Sequence, residues 1–162
     1  VGWAAGVQNY TIEKFDVSGS LIASFIVSGT TLTDGQIDNQ NQIVVYKVTA
    51  NPKQSGLISS TSNVVEIYKP VNLFFPTAFT PDGKGPPENE TFFVGGQFIS
   101  KIELSVFDRW GSLVFYSDKN EAWDGTQAGQ PMPIATYVWQ ATVTDVSGRT
   151  SQHNGRVVLI RK

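Results

Sequence analysis

Short runs of alternating apolar and polar residues recur along the chain, each bounded by turn chemistry, and no segment holds a 3.6-residue period. The alternation predicts strands over 10–16, 21–27, 43–50, 62–68, 73–79, 102–106, 113–116, 137–143 and 156–161. In the third, Val44, Tyr46, Val48 and Ala50 share one face and Lys47 and Thr49 the other. In the eighth, Tyr137, Trp139, Ala141 and Val143 oppose Gln140, Thr142 and Thr144. Asp16-Val17-Ser18-Gly19 and Asp145-Val146-Ser147-Gly148 are the same hairpin solution, with glycine for positive φ and aspartate to hold turn amides. Pro76 confines 73–79 to an edge or to the start of a strand. A Gly/Pro-rich loop follows over 80–89, and a long loop carries Trp123-Asp124-Gly125 and Pro131-Met132-Pro133. Pro70 marks a boundary between residues 1–70 and 71–162. The pattern predicts an all-β protein of two β-sandwiches in tandem.

Composition agrees and narrows the chemistry. Val and Ile total 29 of 162 residues and Ser and Thr 28, a mix suited to pleated, half-buried surfaces. With no cysteine, disulfides, thiol catalysis and thiolate metal sites are excluded. His153 is the single histidine, so no multi-histidine metal site can form. Twelve basic against 14 acidic residues leave no electrostatic footprint for nucleic acid. No apolar run approaches the ~20 residues of a membrane-spanning helix. Val1 begins mid-pattern, which predicts a fragment of a longer protein.

Residues 1–70 resemble a fibronectin type III domain through Trp3, the strand at 10–15, Tyr46-Lys47-Val48-Thr49-Ala50 and Ser62-Asn63-Val64. On that resemblance the domain is truncated at its N-terminus. Residues 71–162 carry a more specific series in order. It runs Phe75-Pro76-Thr77-Ala78-Phe79-Thr80-Pro81, Asp82-Gly83, Gly85, Asn89, Thr91-Phe92, Phe107-Asp108-Arg109-Trp110-Gly111 and Val114-Phe115. It closes with Trp123-Asp124-Gly125, Thr136-Tyr137-Val138-Trp139 and Gly155-Arg156-Val157-Val158-Leu159-Ile160-Arg161. This series resembles the gliding-motility-associated C-terminal domain, the type B sorting signal of the type IX secretion system in Bacteroidota, and the two resemblances together imply tandem Ig-like, fibronectin-like β-sandwiches. The departures lie in loops: Asp82 and Lys84 alter the glycine-bearing turn, Pro86-Pro87-Glu88 lengthens the adjoining segment, and Ile134-Ala135 replaces an Asp-Gly turn.

The candidate sites each have a plain alternative. Asp82, Glu88 and Glu90 invite a Ca2+ site, but Lys84 sits among them, so an ordinary solvated turn and no cofactor is the expectation. Trp123-Asp124-Gly125 suits a sugar platform or half of a carboxylate pair, or else a core cap and a turn brace. Arg109, Trp110 and Gly111 form a hairpin corner in which the guanidinium can stack on the indole or bridge to Asp108. His153 reads as a surface residue of a polar hairpin, and no catalytic set is identified. The final strand has apolar groups on both faces, Val157 and Leu159 against Val158 and Ile160. One face fills the core; the other is open to a partner, as is an unpaired edge. Gly155, Arg156, Arg161 and Lys162 complete this candidate docking strand with a basic tip.

The resemblance implies a non-catalytic signal that directs a large surface protein, such as an adhesin, across the outer membrane. It implies recognition by the translocon, with an outer-membrane β-barrel of the PorP/SprF type as partner. The destination is then the cell surface or the medium, with the periplasm in transit. The rival is a carbohydrate-binding or adhesive module built on Trp110, Trp123 and Trp139.

Overall fold

The computed structural model describes residues 6–36 and 38–161. Trp3 and Lys162 lie outside the described residues. The chain divides into two compact units, Val1–Pro70 and Val71–Lys162.

In the first unit β1 (Val7–Phe15), β2 (Leu21–Val27), β3 (Ile43–Pro52), β4 (Ser60–Thr61) and β5 (Val65–Tyr68) form one antiparallel sheet. Its order is β2-β1-β3-β4, with β5 also paired to β3. Tyr10, Ile12 and Lys14 of β1 lie opposite Val27, Phe25 and Ala23 on one side and Ala50, Val48 and Tyr46 on the other. Period-two alternation therefore makes one face apolar except for Lys14. Among the described residues this unit is one layer of sheet. The expected strand over 62–68 is interrupted, for a local reason. The Ser62 amide still donates to the Val48 carbonyl at 2.8 Å, but Ser62 Oγ accepts the Val48 amide at 3.0 Å and donates to the Asn63 carbonyl at 2.6 Å, so a side chain takes one of the two ladder bonds there.

Lys14 is buried and its charge is matched. Its ammonium donates to Asp34 Oδ2 at 2.7 Å and to the Gln36 carbonyl at 3.0 Å, and the Tyr46 hydroxyl donates to the same carboxylate oxygen at 2.5 Å. The hydrogen bonds from Lys14 and then Tyr46 hold Asp34 at a pKa of about 2. Burial alone would pull the Lys14 pKa down, but the bond to Asp34 and the surrounding charge outweigh it and raise it.

The second unit is built on β7 (Ala78–Phe79), β9 (Ile99–Phe107), β10 (Leu113–Ser117), β13 (Ala135–Asp145) and β14 (Thr150–Leu159), ordered β10-β9-β13-β14-β7. All pairs are antiparallel except β14 with β7. Two short ladders, β6 (Leu73–Phe74) with β8 (Gly95–Gly96) and β11 (Thr126–Gln127) with β12 (Gln130–Pro131), complete the unit with a Phe92–Trp123 bridge and a 3-10 turn, Pro87–Asn89. The expected strand over 73–79 is thus two strands in different sheets. Pro76 has no amide to continue a ladder, and the chain changes sheets at that point.

The inner face of the large sheet supplies Ile102, Leu104, Val106, Val114, Tyr137, Trp139, Ala141, Val143, Val157 and Leu159, all buried. Phe79, Phe92, Val94 and Trp123 join them in one cluster. Trp123 meets the Phe79 ring at 5.3 Å and Tyr137 edge-on at 4.8 Å, and Phe75 stacks on Trp139 at 4.7 Å. Each such pair contributes about 1 kcal/mol beyond the burial of its area. A β-bulge between Leu113 and Phe115 turns both Val114 and Phe115 toward this core and leaves Tyr116 outside.

Candidate docking face of the second unit

Three hairpin corners share one construction. Asp16, Asp108 and Asp145 each begin an Asp-x-x-Gly turn, and in each Oδ1 accepts the amides two and four residues on, at 2.8–2.9 Å. The glycine amide donates to the aspartate carbonyl, and the glycines sit at φ 87, 84 and 83°. L-residues rarely adopt that conformation, so glycine is required. The Asp108 corner therefore holds Arg109 and Trp110 at a fixed tip. Trp110 is 74% exposed, and the Arg109 guanidinium lies 4.0 Å from its ring centroid. The stacking alternative is the one the structure shows.

Behind the corner, the outer face of the sheet changes character. Phe107 pairs with Leu113 on one side and Val138 on the other, and Val138 pairs with Arg156. The neighbouring row runs Thr136, Val158, Ala78. Alternation brings Ile160 to the same side. Leu113, Val138, Val158 and Ile160 are all exposed, and a recess of about 330 Å3 is lined by Phe107, Asp108, Arg109, Gly111, Val138 and Gln140. Farther along the same face stand Ser105, Gln140, Thr142, Gln152 and Asn154. Half of the outer face is apolar with two arginines; the other half is polar and carries the Lys101–Glu103 ion pair.

Among the expected site residues, Arg109, Trp110, Gly111, Arg156, Val158 and Ile160 come together at this end. Others do not. Trp123 is fully buried and its indole donates to the Thr126 carbonyl at 2.8 Å, so it is a core residue unavailable to a partner. Asp124 is exposed but braces its own turn, accepting the Thr126 amide and hydroxyl at 2.9 and 2.8 Å. Gly155 lies on the inner side, where a Cβ would come within 2.6 Å of the Trp139 ring. Arg161 is not a free basic tip: its guanidinium donates to the Met132 carbonyl and, at 3.0 Å, to the Gly125 carbonyl, fastening the Trp-Asp-Gly loop to the end of the last strand. The edge expected to be open near Val158 is occupied by β7, with Val158 and Ile160 amides donating to Thr77 and Phe79.

His153 stands in β14, the second strand of the hairpin whose turn closes at Gly148. Its ring lies 5.1 Å from Phe75 and its Nε2 is 2.9 Å from Ser151 Oγ. In the 80–89 loop both Glu90 oxygens accept backbone amides, from Gly83 at 2.8 Å and Gly85 at 3.0 Å, while Asp82 accepts the Lys84 amide. Among the described residues no group of three acidic or histidine side chains is spaced to hold a metal ion, and no helix is long and apolar enough to cross a membrane. With Trp123 and Trp139 in the core, Trp110 alone of the three tryptophans proposed for an adhesive platform is exposed.

Phe107, Leu113 and Val138 were not singled out from sequence. Val138 carried a signal: it is the one apolar side chain on the polar side of an otherwise clean alternation.

The family model of the CHU_C type IX secretion signal domain matches residues 73–159, more than half of the chain. The chain belongs to this family. A type IX secretion signal marks its protein for export by that machinery, so the second unit is a sorting signal and its protein a secreted one. No curated protein matches the chain. Solved structures similar to it include a tetra-tandem repeat from the extending region of a large adhesion protein, at 13% identity and TM-score 0.46. That match covers 96% of this chain and 42% of the other, so the chain spans less than half of that structure. The fibronectin(III)-like modules of Clostridium thermocellum CbhA match at 11% identity and TM-score 0.30, covering 100% of this chain and 82% of theirs. The BSP domain of a biofilm associated protein matches at 15% identity and TM-score 0.29, covering 96% and 25%.

Proposed function

We propose that the type IX secretion signal is read through the apolar half of its outer sheet face. The surface formed by the Arg109–Trp110 corner, Val138, Arg156, Val158 and Ile160 docks on an outer-membrane β-barrel of the PorP/SprF type, and the attached large surface protein crosses the outer membrane to the cell surface. The observation that carries this reading is the abrupt change of the outer face. Four exposed aliphatic side chains and a stacked Arg–Trp pair gather at one end of a sheet whose remaining solvent face is polar, with Lys101 and Glu103 paired on it. Contiguous exposed apolar surface of this kind marks interaction sites, and the arginines give it orientation.

Fusion of the chain to a periplasm-targeted fluorescent reporter in a type IX-competent host tests the reading. The intact fusion is expected at the surface, and the Val158→Asp, Ile160→Asp double variant is expected to remain in the periplasm while folded. Export of the folded double variant at the intact rate overturns the proposal.

A further inference from the structure

The polar half of the same face has a chemistry of its own. One row crosses four strands, Tyr116 to Ser105 to Gln140 to Asn154, and the next carries Glu103, Thr142 and Gln152. At strand spacings of about 4.8 Å the first row extends roughly 14 Å, with the second about 6.8 Å away. These residues line a recess of about 230 Å3. Elsewhere in the unit, polar side chains are used internally, as at the aspartate corners and at Ser117, which donates to Glu121 and accepts the Lys119 amide. Here, among the described residues, the Ser105, Tyr116, Gln140, Thr142, Gln152 and Asn154 side chains make no hydrogen bond to protein.

Amides and hydroxyls each offer donor and acceptor together, which is what a sugar hydroxyl requires. Charge is balanced, since Glu103 is paired with Lys101 at 2.6 Å. A strongly anionic or cationic ligand therefore gains nothing from the recess. Tyr116 is 55% exposed at one end of the row and gives the apolar plane on which a pyranose ring can rest. We propose that this row is a binding site for a neutral oligosaccharide, adjoining the docking patch at Gln140, which lines both recesses.

The test is an NMR titration of the 15N-labelled full chain with cellohexaose, mannohexaose, xylohexaose and chitohexaose in turn. At least one is expected to shift the amide signals of Ser105, Tyr116, Gln140 and Asn154 selectively. Tyr116→Ala and Gln140→Ala, both on the solvent face, are expected to weaken that binding about tenfold each, with unchanged spectra elsewhere. The Val158→Asp, Ile160→Asp variant is expected to bind the sugar normally, which separates this site from the docking reading. Absence of shifts at millimolar concentration of all four sugars, or shifts centred away from these rows, overturns the proposal.

Discussion

Asp108 shows how much one carboxylate can organise. Its Oδ1 closes the corner through the Trp110 and Ser112 amides, and the stacked Arg109–Trp110 pair rides on that closure. Asp108→Ala is expected to lower the stability of the second unit by about 1–2 kcal/mol and to reduce the fluorescence anisotropy of Trp110, read by denaturation and by emission of a variant keeping that indole. Gly125 is constrained from two directions. Its φ is 77°, and a Cβ would stand 2.6 Å from Leu159 Cδ1. Gly125→Ala should cost about 2 kcal/mol or more, measured as a fall in urea midpoint. Asp34 gives the first unit a pH dependence. Its folded pKa of about 2 lies below the usual carboxylate value, so its contribution is complete above about pH 4 and is lost as pH falls toward 2. Melting temperature of the first unit should therefore drop across that window, and Asp34→Asn should flatten the drop while lowering stability at neutral pH.

Strand β14 divides its side chains between two tasks. Val157 and Leu159 are fully buried, whereas Val158 is on the solvent side between Thr136 and Ala78. Val157→Asp should unfold the second unit, because a carboxylate there has no partner and no water. Val158→Asp should leave circular dichroism and the melting temperature nearly unchanged, and equal destabilisation by the two would contradict the facing. This facing was legible in sequence, as were the apolar face of β13 and the paired Asp-Val-Ser-Gly corners, because period two follows directly from strand geometry. What escaped was set by pairing and local bonds. Pro76 splits one apolar run between two sheets, and the Ser62 hydroxyl breaks another. The β11–β12 hairpin turns through Ala128 at φ 50° and Gly129 at φ 76°, and alanine gives no turn signal. Among candidate site residues, Trp123 and Arg161 have types common at interfaces, and only tertiary packing assigns them to the core and to the loop carbonyls.

At the scale of the molecule, a family signal of about half the chain follows a separate β unit, and the signal's sheet has one side committed to its core. Under the docking proposal, recognition acts through the outer face and not through the buried one. The outer face is the one that combines exposed aliphatic side chains with Arg156 and adjoins the Arg109–Trp110 tip. Site-specific photocrosslinking during export tests this most directly, with a benzophenone amino acid placed at Val158 or, in the polar half of the same face, at Gln152. The account predicts an adduct with an outer-membrane β-barrel of the secretion machinery from position 158 and none from position 152. Adducts of equal yield from both positions, or from 152 alone, would contradict it.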